Sequence, residues 1–421
     1  MYNIIVCAEE NVKPHCDQIL KTVIYRNILD EEPEIAQRTY KIAELLGFYV
    51  QTDYLLPMMI NHLTDSESRN VPHFVKSGLT AFSAVIHHST KRNPDQLDSF
   101  MKKLIELIVS GDFLNNDNAE VLERVLLVTQ NLVDAAGKTC KQYQHGLFKI
   151  LLQLGSIPQM APHTKRVDEC IHVLAENCGI ESSQDLFSIE LATLLDEMKE
   201  QYEDWTKNTP ERFIFDMLVR RSFTAVVDYW ETILMIIAAN VDGNKEYELK
   251  MDMLALVEHF LLQKDLHGTI IFYSEIILKM ILMPAIQWRA GKPNCSVRRA
   301  AIVCTIKLVE QQLIEEDKLY ENFGNLFKLL KNSMDDDWDN DMRFSAVVLV
   351  KHILGYIQAN FGHEDYTAVY PELLKRLDDA QDGIRIETCR VLEVFFDGLD
   401  DPWSTGVYDY TIKNIFVHVD D

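Results

Sequence analysis

An apolar residue followed by arginine returns three times late in the chain, at Val297-Arg298, Met342-Arg343 and Ile384-Arg385, 45 and then 42 residues apart. Acidic residues keep the same interval, since Asp335, Asp378 and Asp420 are separated by 43 and 42. Pro284 stands 14 residues before Arg298, and Pro371 the same 14 before Arg385. A chain made of near-copies of one unit this long does not close around a single core. Each copy buries its apolar face only against the next copy.

The last full copy shows what the unit is. Tyr366, Val369, Tyr370, Leu373 and Leu377 recur at helical spacing, with Glu372, Lys375 and Arg376 facing away. Asp378-Asp379 stops that helix and Asp382-Gly383 supplies a turn. A second helix follows, with Ile384, Thr388, Val391, Leu392, Phe395 and Leu399 on one face. Pro371 sits inside the first helix and bends it, and Pro57 and Pro284 hold the corresponding places. First helix, acidic turn and Arg-led second helix are the content of a HEAT repeat. Similar pairs are expected near 15–50, 55–89, 97–137, 143–179, 183–222, 224–263, 269–314 and 319–358. The expected architecture is an all-α solenoid of stacked antiparallel helix pairs, about nine to ten repeats. It forms one array over 1–421, most regular across 269–421 and irregular across about 140–268. The first residues (Ile4, Ile5, Val6) and the last (Tyr410, Ile412, Ile415, Phe416, Val419) lack the polar outer face of a capping repeat. They are expected to be interior repeats of a longer array, truncated at both ends.

The formal charge of −24 disfavours nucleic acid, whose phosphates call for a basic stripe, and anionic membrane surfaces. It suits partners with basic patches. Eight cysteines are scattered with no C-x-x-C pair, the pattern of reduced, buried thiols. The opening MYNIIVCAEE has no basic segment ahead of its short apolar run, so no signal peptide is expected. The longest apolar stretch, Ile233 to Ala239, is too short for a membrane span. A cytoplasmic protein is expected.

Candidate chemistry is sparse. Counted as a calcium loop from Asp335, the run Asp335-Asp336-Asp337-Trp338-Asp339-Asn340-Asp341 has oxygen ligands at the odd positions. Asn340 then stands where glycine is needed and Ala346 where a bidentate glutamate is needed, so the run reads as an acidic turn capping a helix. Trp338 within it is either an anchor for a basic partner or a packing residue of the next repeat. Asp335, Asp378 and Asp379 with Arg298, Arg343 and Arg385 are expected to form a structural ladder of charge-assisted hydrogen bonds between repeats. Adjacent His87 and His88 point about 100° apart on a helix, and the thiols of Cys170 and Cys178 lie about 12 Å apart along one. Neither builds a tetrahedral metal site without distant help. Asn294-Cys295-Ser296 is a glycosylation sequon with no secretory signal to act on it, and Asp401-Pro402-Trp403 reads as an inter-repeat turn. No glycine-rich phosphate loop, H-E-x-x-H or G-x-S-x-G occurs. No catalytic residue, cofactor, metal or small-molecule substrate is expected.

The block Tyr370-Pro371-Glu372-Leu373-Leu374-Lys375-Arg376-Leu377-Asp378-Asp379 resembles the HEAT-repeat dynein axonemal assembly factor family known as assembly factor five. Trp288-Arg289-Ala290-Gly291, Val297-Arg298-Arg299-Ala300-Ala301, Pro14-His15-Cys16-Asp17-Gln18-Ile19-Leu20 and Leu29-Asp30-Glu31-Glu32-Pro33-Glu34 fall in the same order as in that family. The resemblance is looser between 140 and 270. It implies a cytoplasmic, non-enzymatic scaffold that preassembles axonemal dynein arms, with dynein chains and chaperones or co-chaperones as partners. The alternative is another HEAT adaptor, a nuclear transport receptor or a phosphatase-type scaffold, gripping basic cargo.

Overall fold

The computed structural model describes residues 1–65, 71–89, 98–110, 113–114, 118–337, 339–399 and 406–417. Trp338, Asp401-Pro402-Trp403 and Asp420-Asp421 lie outside these residues. Among the described residues every regular element is helical. The first pair has a broken first helix (Cys16–Ile19, Leu20–Ile24, Tyr25–Asn27) and the second helix Pro33–Tyr49. Thr52–Thr64 and Pro72–Ser89 form the second pair, Asp98–Ser110 and Ala119–Ala136 the third, Gln144–Ser156 and Thr164–Cys178 the fourth. Ser183–Met198 and Pro210–Arg221 come next in the chain, in the place of a fifth pair, and Trp230–Val241 and Tyr247–Leu262 form the sixth. The seventh joins His267–Ile276, Ile277–Leu282 and Met283–Ile286 to Lys292–Glu310. Glu316–Met334 with Asn340–Ile357 and His363–Leu377 with Asp382–Asp397 are the eighth and ninth. Tyr2–Ala8 and Gly406–Val417 flank them.

The chain divides into two units, Met1–Thr193 with Phe213–Ser222, and Leu194–Arg212 with Phe223–Asp421. Within each unit, second helices stack on second helices. In the first, Pro33–Tyr49 packs on Pro72–Ser89, which packs on Ala119–Ala136. In the second, Tyr247–Leu262, Lys292–Glu310, Asn340–Ile357 and Asp382–Asp397 follow one another in the same way. First helices touch their successors less closely.

The pattern behind this stacking is local. In Pro72–Ser89 many buried positions are small (Ser77, Gly78, Ala81, Ser83, Ala84), so neighbouring backbones can approach closely. At Gly47 a Cβ would lie 2.3 Å from the Val85 carbonyl oxygen, so glycine is required there by space alone. Helix ends follow the same economy. Gly179 takes φ 76° and closes Thr164–Cys178, with Ile180 N–H donating to the Ala175 carbonyl (2.9 Å) and Gly179 N–H to that of Glu176 (3.0 Å). Gln312 makes the corresponding turn after Lys292–Glu310 at φ 54°, without glycine's freedom.

Pro57 and Pro371 lie inside first helices, as the sequence pattern required. Pro284 is accommodated differently. A π-helical segment, Ile277–Leu282, precedes it, and the wider turn makes room where a proline ring would meet a carbonyl.

One expectation is corrected. Two continuous helical stretches, Phe223–Val241 (19 residues) and Lys264–Ile286 (23 residues), are long and apolar enough to cross a membrane by length and composition alone. The sequence scan stopped at Ile233 to Ala239 because polar residues interrupt the apolar run. The helices continue through those residues as 3-10 and π segments. Both serve as first helices of pairs, with Ile233, Ile236 and Ile237 in one and Ile277, Ile281 and Leu282 in the other buried against neighbouring helices.

Two substitutions test this packing. Gly47→Ala should destabilise the protein by about 1–3 kcal/mol, because backbone rather than a flexible side chain must move. Gln312→Gly should stabilise it by roughly 0.5–1 kcal/mol, the left-handed penalty less glycine's own entropy cost. Urea denaturation monitored by circular dichroism reads both.

Candidate interaction surface

Arginine side chains at the starts of second helices carry a continuous hydrogen-bond run through four successive turns of the second unit. Arg289 donates to the Gly243 carbonyl of the preceding turn. Arg298 Nη1 donates to the Arg289 carbonyl (2.7 Å), and its Nη2 pairs with the Asp336 carboxylate of the next turn. Arg343 Nη1 donates to the Asp336 carbonyl (2.8 Å), while its Nε and Nη2 grip Asp379 as a fork at 2.8 and 3.0 Å. Arg385 Nη1 ends the run on the Asp379 carbonyl (2.9 Å). Each central arginine thus ties its own turn to the following one, and the planar guanidinium reaches both without bending.

The acidic doublets divide their labour. Asp336 and Asp379 are buried, whereas Asp335 and Asp378 are exposed. Asp336, not Asp335, therefore takes Arg298. Asp335 receives Arg376 from the next first helix, a link 41 residues apart that keeps the same beat. Arg289 and Arg376 escaped the sequence reading, which left the inward aspartate open among Asp335 to Asp337. The spacing marks a doublet, but which member turns inward depends on the backbone of the turn.

Burial would raise the Asp379 carboxyl; hydrogen bonds from Arg343 and from the Gln381 N–H, with the charges of Arg343 and Arg376, outweigh it and hold the group below the ordinary carboxylate range. Hydrogen bonding to Asp379 likewise holds the Arg343 guanidinium in its charged form.

The calcium-like run is spent residue by residue. Asp336 is on Arg298, Asp339 caps the helix by accepting from Met342 N–H (3.1 Å), and Asp341 meets Arg299 (3.1 Å). Asp339 and Asp341 also share Arg299, so cationic side chains of the chain itself occupy these carboxylates. Trp338, the proposed anchor, lies outside the described residues.

Cys7 and Cys389 are exposed, against the expectation of buried thiols, whereas five of the buried cysteines are poor nucleophiles. Burial pushes the Cys16 and Cys295 thiols up to about 11, and those of Cys140, Cys170 and Cys304 up to about 12.

What faces solvent in this unit is of two kinds. Asp335, Asp337, Asp341, Asp378 and Asp382 form an exposed acidic edge along the turns of the eighth and ninth pairs. Phe272, Ile276 and Met280, four residues apart, leave an exposed apolar stripe on the seventh first helix, with Phe272 76% exposed. The first unit contributes a groove of about 810 Å³ walled by Tyr40, Glu44, Thr80, Glu123 and Arg124 of three stacked second helices, with charges of both signs. Such sites suit macromolecular contact at many weak points.

Helix pairs stacked second helix on second helix, joined turn to turn by arginine, define an all-α HEAT-repeat protein. Residues 1–158 match the family model described as dynein axonemal assembly factor 5, HEAT-repeat domain. Over 98% of its length the chain is 22% identical to dynein axonemal assembly factor 5 of Xenopus laevis, covering 49% of that protein. It is 22% identical, again over 98%, to dynein axonemal assembly factor 5 of Homo sapiens, covering 48%. The resemblance to the assembly factor five family therefore runs through the chain, which spans about half the length of the curated relatives it matches. Among solved structures, Kap121p bound to RanGTP aligns with 97% of this chain and 44% of its own, at 13% identity and a TM-score of 0.44. An engineered protein aligns with 96% and 99%, at 10% identity and a TM-score of 0.43.

Removing one partner of a desolvated rung strands the other. Asp379→Ala should cost about 3–5 kcal/mol, clearly more than Asp378→Ala at the exposed neighbouring position. Because the folded-state Asp379 carboxyl sits below its unfolded value of about 3.9, its contribution is complete above that value. It is lost as pH falls through the folded value. Acid unfolding followed below about pH 4 should therefore be less steep in Asp379→Asn than in wild type.

Proposed function

We propose that this chain is part of a non-enzymatic cytoplasmic scaffold for the preassembly of axonemal dynein arms, engaging dynein chains and chaperones or co-chaperones. The observation that carries the reading is similarity, along 98% of the chain, to proteins named dynein axonemal assembly factor 5. Residues 1–421 act together as one HEAT-repeat array in this reading, and Arg298, Arg343, Arg385, Asp336 and Asp379 are its structural ladder. The ladder fixes where successive turns stand, and so where the exposed acids at Asp337, Asp341 and Asp382 are presented to a client.

A partly folded client offers basic and apolar segments rather than a finished surface. An acidic turn edge attracts the first and an exposed stripe such as Phe272, Ile276 and Met280 accepts the second, each contact weak alone. The electrostatic share is screened by salt, with a Debye length of about 8 Å at physiological ionic strength.

Mass spectrometry of what co-purifies with the full-length protein from cytoplasm of ciliating cells tests the function. Dynein arm chains together with chaperones are expected. Nuclear transport factors or phosphatase subunits without dynein would sink it in favour of another kind of HEAT adaptor. Reversing Asp337, Asp341 and Asp382 together to lysine should weaken client capture and flatten its salt dependence; because Asp341 pairs with Arg299 and Asp382 with Arg385, capture is compared at a temperature where circular dichroism shows both proteins folded. Capture that ignores both salt and these charges would remove the electrostatic part.

A further inference from the structure

Near the end of the second helix of the second pair, the fold supplies the help that His87 and His88 lack in sequence. Glu44, one pair earlier in the stack, reaches the same point. The donor atoms of Glu44, His87 and His88 lie within 4.8 Å of one another. Glu44 Oε1 and His88 Nδ1 are 3.3 Å apart. With zinc–ligand bonds of about 2.0–2.1 Å, two ligands on a tetrahedral ion stand roughly 3.3–3.4 Å apart. The Glu44–His88 separation is thus that of one tetrahedral edge, and His87, whose donor lies within 4.8 Å of both, completes a face by side-chain rotation.

The adjacent histidines need help from elsewhere in the chain, and Glu44 supplies it. In the last turn of Pro72–Ser89 the two rings come to a 5.0 Å centroid separation with a 54° tilt. Their electrostatic setting favours a cation, since the C-terminal end of a helix carries partial negative charge and the Glu44 carboxylate adds a full one. Glu44 and His88 keep 20% and 23% of their side-chain surface, enough access for an ion with partial shielding from water.

We propose that Glu44, His87 and His88 form a binding site for a zinc-class divalent ion, with its remaining coordination filled by water. Two imidazoles and one carboxylate suit Zn²⁺ or its Co²⁺ substitute rather than Ca²⁺ or Mg²⁺, which take oxygen ligands. The ion bridges two second helices, Pro33–Tyr49 and Pro72–Ser89, which already approach through Gly47 and Val85. Its role is therefore to clamp the first two pairs, and binding is linked to folding.

The test titrates the metal-stripped full chain with Zn²⁺ alone by calorimetry, and with Co²⁺ while watching visible absorption. Wild type should bind one ion, show the intense bands of a four-coordinate Co²⁺ site, and melt at higher temperature with Zn²⁺ than without. Glu44→Gln keeps the shape of the contact, and His87→Ala changes an exposed ring, so both should melt like wild type without metal. Both should lose the Co²⁺ bands and the zinc-induced rise in melting temperature. The proposal is overturned if wild type takes up no Zn²⁺, or if both variants keep wild-type stoichiometry and bands, since the ion would then sit elsewhere.

Discussion

A guanidinium held between two turns is the interaction on which the regular part of the second unit depends. Arg343 is nine-tenths buried with Asp379, and it satisfies its own turn through the Asp336 carbonyl while reaching the next. A buried charge left without its partner is costly, so few other placements of the adjoining turns satisfy it. Once Asp379 is set by Arg343, its carbonyl positions Arg385. Each rung thereby positions the next. Hydrophobic burial supplies most of the favourable free energy of stacking, but it is non-directional; the rungs add direction.

The first unit adds neutral links to ionic ones such as Lys76–Glu120 and Arg166–Glu123. Asn131 donates to the hydroxyl and carbonyl of Ser83 one pair earlier, at 2.6 and 3.1 Å, and Asn177 donates to the Val133 carbonyl at 2.9 Å. These amides link second helices 48 and 44 residues apart, close to the interval kept by the arginines. Neutral hydrogen bonds are less sensitive to acid than carboxylate ion pairs, so these amide links outlast the ionic ones as pH falls. Arg212 makes a further ionic link, to Asp252.

Much of this was legible before any coordinates. The pair boundaries read from Tyr366 to Leu399 match His363–Leu377 and Asp382–Asp397, because apolar periodicity and the Asp378-Asp379 stop are local signals. Arg298, Arg343 and Arg385 were legible as a set from their interval. Their acceptors were not. Asp335 and Asp336 are indistinguishable in sequence, and only the path of the turn sends one outward and the other onto Arg298. The convergence of Glu44 with His87 and His88 was hidden for a related reason. The glutamate belongs to another repeat, and no spacing within one helix reports it.

By itself, the sequence determined the helix pairs, the repeat interval and the kinds of side chain that meet at each turn, since all follow from periodicity and composition over a few tens of residues. Tertiary structure decided which atoms meet. It chose the inner aspartate of each doublet, placed the π-helical turn ahead of Pro284, and brought Gly47 against Val85 and Glu44 against His88. Such choices depend on ångström-scale approach between backbones far apart in the chain. A linear pattern carries the period of that approach but not its distance.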